Sequence, residues 1–270
     1  MVIDAHPIAI RTRALVKRYD EVTALDRLDL EVARGEIFGL LGPNGAGKST
    51  AIKILTTLLD ATSGSATVAG HDVARAPVEV RRHIGYVPQM LSADGSLTAI
   101  ENLTLSARLY GLHGARCAAR VREALSFAGL EDVGQRFVKQ YSGGMIRRLE
   151  IAQATLHEPE VLFLDEPTIG LDPVARHMVW DRLRDLCRTR GLTILLTTHD
   201  MEEADALCER LAILHQGRLA AVGSGAELKS QVGPKASLDD VFIHFSGATM
   251  ELGGSYRDVR QARRASGGRG

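Results

Sequence analysis

Gly42-Pro43-Asn44-Gly45-Ala46-Gly47-Lys48-Ser49-Thr50 follows the apolar run Ile37 to Leu41 and opens an apolar-patterned segment, Ala51 to Leu59. The order reads as strand, loop, helix. In a G-x-x-x-x-G-K-[ST] pattern the glycines let backbone amides turn inward around phosphates. The lysine reaches the outer phosphates, and the hydroxyl suits Mg²⁺. A helix N-terminus directly behind the loop adds the positive end of its dipole. The stretch therefore predicts a nucleotide-phosphate site, against the plainer alternative of a glycine-rich turn with an exposed lysine.

Upstream, residues 8–32 carry apolar positions (Ala14, Leu15, Val16, then Leu25, Leu28, Leu30) broken by polar turns, which predicts antiparallel strands. Tyr19 sits in the first turn, where by itself it reads as a packing tyrosine. Downstream, Ser65 to Gly70 and Ile84 to Val87 read as short strands, the second running into Pro88-Gln89. From about Thr98 to His157 the period becomes helical: Ile100, Leu103, Leu105 and Leu109, then Val121, Leu125 and Ala128, with breaks at Gly111, Gly114 and Gly129. This is a helical insertion. Val161 to Leu164 and Thr193 to Thr197 are continuous apolar runs of the kind buried on both faces in a parallel sheet, and the helix pattern Val174 to Arg190 between them makes a βαβ unit. Leu211 to Leu214 is a further strand, turning at His215-Gln216-Gly217-Arg218 and returning to Val222. Residues 226–245 are weakly helical, and the glycine- and arginine-rich residues 253–270 are expected to be disordered.

With 270 residues the chain can bury a full core. Lysine plus arginine equal aspartate plus glutamate at 33 each, so no global field draws it to nucleic acid or anionic lipid. The three cysteines, Cys117, Cys187 and Cys208, have no C-x-x-C spacing and suit a reduced compartment. Uncharged stretches such as Ile37 to Gly47 fall well short of the roughly 20 residues that span a bilayer. The N-terminus has neither basic nor apolar signal region, so a cytoplasmic location is expected.

Chemistry gathers after strands. Asp165-Glu166 ends the run from Val161, and buried paired carboxylates are costly unless a cation or substrate uses them. The aspartate suits Mg²⁺, and the glutamate can orient or deprotonate a water. His199 follows Thr193 to Thr197, and Gln89 follows Ile84 to Val87. Since ligands of open parallel sheets bind beyond the carboxyl ends of the strands, these groups should converge with Lys48 and Ser49 on one γ-phosphate and its metal. In the insertion, Tyr141-Ser142-Gly143-Gly144-Met145 leads into a helix pattern, Ile146 to His157. Its serine cap and free amides form a second anion site, weak evidence alone.

Together, from Ile8 to Val222, the chain resembles the nucleotide-binding subunits of ABC transporters. Gly42 to Thr50 matches their Walker A motif, Gln89 the Q-loop, Tyr141 to Met145 the signature, Val161 to Glu166 the Walker B motif, Gly170-Leu171-Asp172 the D-loop and His199 the switch histidine. The resemblance implies an α/β P-loop NTPase fold with a RecA-like core, an N-terminal antiparallel β region and an inserted α-helical subdomain. The ATPase domain would span residues 8–225, with its helical part at about 95–157, followed by a short extension at 226–252. It implies ATP and Mg²⁺ as cofactors. Glu166 is then the catalytic base, His199 contacts the γ-phosphate, and Ser49, Gln89 and Asp165 serve the metal. Tyr19 stacks on adenine, and residues Gly42, Pro43, Asn44, Gly45, Ala46, Gly47, Lys48, Ser49 and Thr50 hold the phosphates. Ser142, Gly143 and Gly144 act in trans, on the ATP of a second copy in a head-to-tail dimer, and Asp172 communicates between the two sites. A separate integral membrane permease is the other partner, with the chain peripheral on the cytoplasmic face of the membrane.

Two positions depart from the commonest signature, Met145 for glutamine and Ile146 for a basic residue; without glutamine the serine cap loses its reciprocal bond. Glu101-Asn102-Leu103, Ala107 to Gly111, the Tyr-Ser-Gly-Gly-Met signature and Ser237 to Phe242 look like exporters of the daunorubicin-resistance type. Export through the permease is the expected function. The rivals are a soluble ABC-type ATPase acting on nucleic acid or the ribosome, which would call for tandem cassettes or a long coiled coil, and a P-loop kinase, which would need neither Ser142 nor His199.

Overall fold

The computed structural model describes residues 7–246. The expectation for residues 253–270 lies outside them. The chain opens with β1 (Ile8–Tyr19) and β2 (Val22–Ala33), followed by β3 (Ile37–Leu41) and, across the glycine loop, α1 (Lys48–Leu55). Next come β4 (Ser63–Val68), β5 (His71–Asp72), α2 (Pro77–His83) and β6 (Ile84–Val87). A helical lobe holds α3 (Ala99–Leu109), α4 (Gly114–Ala128) and α5 (Gly143–Ala154). The chain then returns through β7 (Val161–Asp165), α6 (Pro173–Arg190), β8 (Thr193–Thr198), α7 (Met201–Leu207), β9 (Arg210–His215) and β10 (Arg218–Gly223), and ends with α8 (Gly225–Val232) and α9 (Leu238–Ser246).

The strands form two sheets, a four-stranded one ordered β2-β1-β4-β5 and a six-stranded one ordered β10-β9-β3-β8-β7-β6. Within the second, β3 pairs in parallel with β8 and β9, and β7 with β6 and β8. Every residue of β3, β7 and β8 is buried, as their continuous apolar runs require. Because successive side chains point to opposite faces, the runs divide. Phe38, Leu40, Phe163 and Leu195 join α1 and the antiparallel sheet in one core, whereas Leu162, Leu164, Ile194 and Leu196 face Val179, Trp180 and Leu183 of α6 in another. Helix α1 is thus packed between the two sheets. Truncating a wholly buried phenylalanine such as Phe163 to alanine would cost about 3–5 kcal/mol.

The helical lobe has its own core, built on Leu103 and Ala107, Cys117, Val121 and Leu125, and Leu149 and Ala152. Thr98 starts α3 with a reciprocal cap: its hydroxyl accepts from Glu101 N (3.1 Å) and its amide donates to Glu101 Oε2 (2.8 Å). A bridge between Thr98 and Phe137 closes the base of the lobe.

Three local readings shift. Helix α1 stops at Leu55, with Thr57 in a left-handed conformation, and so is shorter than the apolar pattern to Leu59. Helix α5 starts at Gly143, because Ser142 caps it there despite the low helix propensity of the two glycines. The weakly helical segment from residue 226 is two helices. Leu228, Leu238 and Val241 of α8 and α9 join Leu41, Leu211 and Ile213 in a common core. The turn joining β9 to β10 uses left-handed Gln216 and Gly217, the conformation a tight hairpin needs.

Candidate functional site

Since β3, β6, β7 and β8 run parallel, the residues just past their carboxyl ends collect at one edge of the sheet. Glu166 is the meeting point there. Its Oε1 lies 3.2 Å from Nδ1 of His199 and 3.7 Å from Nζ of Lys48, and its Oε2 accepts from Nε2 of Gln89 at 3.3 Å. Beside it, Asp165 Oδ1 accepts from Ser49 Oγ (3.2 Å) and Thr197 Oγ1 (2.6 Å). The convergence expected of Lys48, Ser49, Gln89, Asp165, Glu166 and His199 is therefore present as one contact network.

The loop that feeds it is shaped by close approach. Gly47 has φ of 105°, and a Cβ there would stand 2.4 Å from Ala24 O. A Cβ on Gly42 would stand 2.5 Å from Leu214 O. Either contact is far inside van der Waals separation, so neither position tolerates a larger residue without moving backbone. Gly45 is also left-handed, Ala46 N donates to Pro43 O (3.1 Å), and Gly47 O accepts from Ala51 N (2.9 Å), leading through Ser49 and Thr50 into α1; Asn44 is exposed at the rim. Lys48 folds back along the loop, donating to Gly42 O (2.7 Å) and Pro43 O (3.3 Å). Burial pushes its ammonium below the ordinary lysine range, and the charges of Glu166 and Asp165 pull it back up.

Glu166 itself has φ of 49°, a left-handed backbone that costs a non-glycine residue about 1–2 kcal/mol. Thr197 holds it there. The amide of Glu166 donates both to Thr197 O (3.2 Å) and to Thr197 Oγ1 (3.0 Å), while the same hydroxyl gives its proton to Asp165. In sequence Thr197 reads only as part of a strand. Glu203 is equally silent there: its wholly buried Oε1 accepts from Thr168 Oγ1 (2.7 Å) and Trp180 Nε1 (3.1 Å), tying the segment after Glu166 to α6 and α7. Burial raises its carboxyl above the usual range. A glutamate four residues past His199, on the inward face of a short helix, is the available signal.

The remaining expected residues stand off from this network. Tyr19 ends β1, about half exposed, with Nζ of Lys17 5.1 Å from its ring centroid. Ser142 caps α5 by accepting from Met145 N (3.3 Å), without a reciprocal bond. Gly144 faces Ala175, where a Cβ would lie 2.6 Å from that of Ala175, and Gly143 faces Leu171. Asp172 caps α6 by accepting from Ala175 N (2.9 Å). The caps of α5 and α6 are thus neighbours.

The profile of the family described as "ABC transporter" matches residues 25–169, more than half of the chain. This chain belongs to that family. As an ABC transporter ATP-binding subunit it is an ATPase, similar to the daunorubicin/doxorubicin resistance ATP-binding protein DrrA of Streptomyces peucetius at 49% identity, over 83% of this chain and 68% of that one. It is 45% identical to the Nod factor export ATP-binding protein I of Paraburkholderia xenovorans, covering 83% and 74%. Among solved structures, an ATP-binding subunit of an ABC transporter superposes with TM-score 0.79 at 34% identity, covering 88% of this chain and 99% of that one. A dimeric ATP-binding cassette in a post-hydrolysis state with ADP and Pi gives 0.72 at 28%, covering 80% and 98%. A profile of an AAA domain (putative AbiEii toxin, Type IV TA system) overlaps this ABC ATPase at residues 138–205. No helix among the described residues is long and apolar enough to cross a membrane.

Proposed function

We propose that this ABC ATPase works as a head-to-tail pair on the cytoplasmic face of the cell membrane and drives export of a drug, antibiotic, lipid or other small molecule through a separate permease. The observation that carries the reading is the network around Glu166, which joins a phosphate-loop lysine, a carboxylate pair, a glutamine and a histidine at one sheet edge. Glu166 is the base for the attacking water and His199 the γ-phosphate contact. Lys48 and the amides of residues 44–50 neutralise charge on the phosphates. The hydroxyl of Ser49, the carboxylate of Asp165 and the amide oxygen of Gln89 form an all-oxygen donor set, which fits Mg²⁺ and its preference for hard ligands. Bound there, the ion would offset charge on the phosphate oxygens.

Tyr19 offers a half-exposed ring for the adenine, with a cation already over it. Ser142, Gly143 and Gly144 leave a capped helix N-terminus for the γ-phosphate of the other copy, and Asp172, at the neighbouring cap, links the two sites. Similarity to a dimeric cassette supports the pairing, and the names of the drug-resistance and Nod factor relatives support export. Residues 8–225 make the ATPase domain, with its helical part at about 95–157. Met90 and Leu91, exposed directly after Gln89, are apolar surface suited to the permease. The test is recovery of the crosslinked native chain. The reading expects a polytopic membrane protein; co-recovery of rRNA or DNA without one would overturn it.

A further inference from the structure

Arg147 and Glu150 are both 2% exposed at the side chain, and Arg147 Nη1 lies 3.0 Å from Glu150 Oε2. Taking such a pair out of water costs about as much as the attraction returns, so its presence is weak evidence of a stabilising role. What sets this pair apart is where its remaining bonds go. Arg147 Nη1 donates to Pro88 O and Nη2 to Gln89 O, each at 2.8 Å. Glu150 Oε1 accepts from Ser92 Oγ (3.0 Å), from Ala93 N (3.3 Å) and from the amide of Ser92. The loop carrying Gln89 is gripped on both flanks, in charge-assisted bonds, by one turn of α5. The same helix, about 10 Å back along its axis at 1.5 Å per residue, starts at Ser142-Gly143-Gly144.

We propose that Arg147 and Glu150 are positioning residues that clamp the Gln89 loop to α5. Gln89 at one ATP and Ser142 with Gly144 at the ATP of the partner copy then move as one body. The clamp converts a displacement of Gln89 towards its γ-phosphate into a displacement of the helix N-terminus that closes the other site. Fork geometry is essential to it, since only a planar guanidinium reaches two successive carbonyls while facing Glu150. The proposal rests on the proposed function, in which Gln89 serves the metal at one ATP and Ser142 acts in trans on the other.

The experiment uses the full chain with the double variant Arg147→Met/Glu150→Leu, Arg147→Lys and Gln89→Ala. Replacing a buried ion pair by apolar side chains of similar volume leaves folding stability near that of the parent, and Arg147→Lys keeps the charge opposite Glu150 should the double variant misfold. We expect ATP binding to the single chain within about twofold of the parent in both clamp variants. We expect kcat at least tenfold lower and ATP-driven dimerisation, read in a Glu166→Gln background, at least tenfold weaker in the double variant, with intermediate losses in Arg147→Lys. Folded clamp variants whose kcat and dimerisation stay within twofold of the parent, while Gln89→Ala loses turnover, would overturn the clamp alone. Full turnover in Gln89→Ala would instead remove the reading on which it rests, and the clamp with it.

Discussion

Nδ1 of His199 stands 3.2 Å from Oε1 of Glu166, across the carboxyl ends of β8 and β7. A carboxylate in that position is held by a neighbour on each side, and in the proposed reading it takes a proton from the attacking water while the imidazole contacts the γ-phosphate. Glu166→Gln keeps the shape and loses the base, so it should bind ATP as the parent does, lose turnover by about 10²–10⁴-fold, and accumulate as an ATP-bound dimer. Single-turnover hydrolysis checks it; a rate equal to that of the parent would assign the base elsewhere.

Lys48 contacts two loop carbonyls and a carboxylate, which in the proposed reading it exchanges for phosphate oxygens. Lys48→Ala removes charge-assisted bonds worth roughly 1.5–3 kcal/mol, so ATP binding measured by calorimetry should weaken by about one to two orders of magnitude. Unchanged affinity would show that the phosphates lie outside the loop.

Thr197 spends one hydroxyl on two tasks, donating to Asp165 and accepting from the amide of Glu166. Thr197→Val removes one bond from each buried group, leaving the Glu166 amide on Thr197 O and Asp165 Oδ1 on Ser49 Oγ. Unfolding free energy should fall by about 1–3 kcal/mol, with Thr197→Ser close to the parent. Equal stability of all three proteins in denaturant titrations would mean that the left-handed backbone of Glu166 is held by other contacts.

Glu203 gives a pH signature. Burial raises its carboxyl in the folded protein above the ordinary 4.5. Below 4.5 both folded and unfolded chains hold the proton, and its contribution to stability is complete. As pH rises through 4.5 the unfolded chain releases it first, and stability is lost until the folded pKa is passed. Glu203→Gln, whose amide oxygen still accepts from Thr168 and Trp180, is free of that loss. Its stability relative to the parent should therefore improve between pH 4.5 and neutral; a difference independent of pH would show that Glu203 is ionised at no cost.

The groups legible in the sequence are those whose chemistry is set by their immediate neighbours. Lys48 and Ser49 stand in a glycine pattern, Asp165-Glu166 closes an apolar run, and Gln89 and His199 each follow a strand, so one rule about strand ends suffices to bring them together. Thr197, Glu203, Arg147 and Glu150 escape because their partners are remote in sequence: a threonine in a β run, or an arginine in a helix, reads as ordinary until the fold brings Asp165 or the carbonyls of Pro88 and Gln89 against it. The same limit hides the pairing of β4 with β1, which nothing local specifies. Boundaries move where a single cap decides them, as Ser142 does for α5.

Closure of each ATP by two copies of the chain is the central claim. Lys48→Ala and Ser142→Arg should each be inactive alone; Ser142 is exposed, so the larger side chain meets no packed core, and the change costs the lobe only the cap of α5, about 1 kcal/mol. In a head-to-tail pair of one of each, Lys48 of the second chain meets Ser142 of the first, and one site is whole. An equal mixture should recover ATP hydrolysis to about a quarter of the parent rate, since half of the pairs are mixed and each has one intact site of two. Activity that stays at the background of either variant would contradict a site shared between two chains.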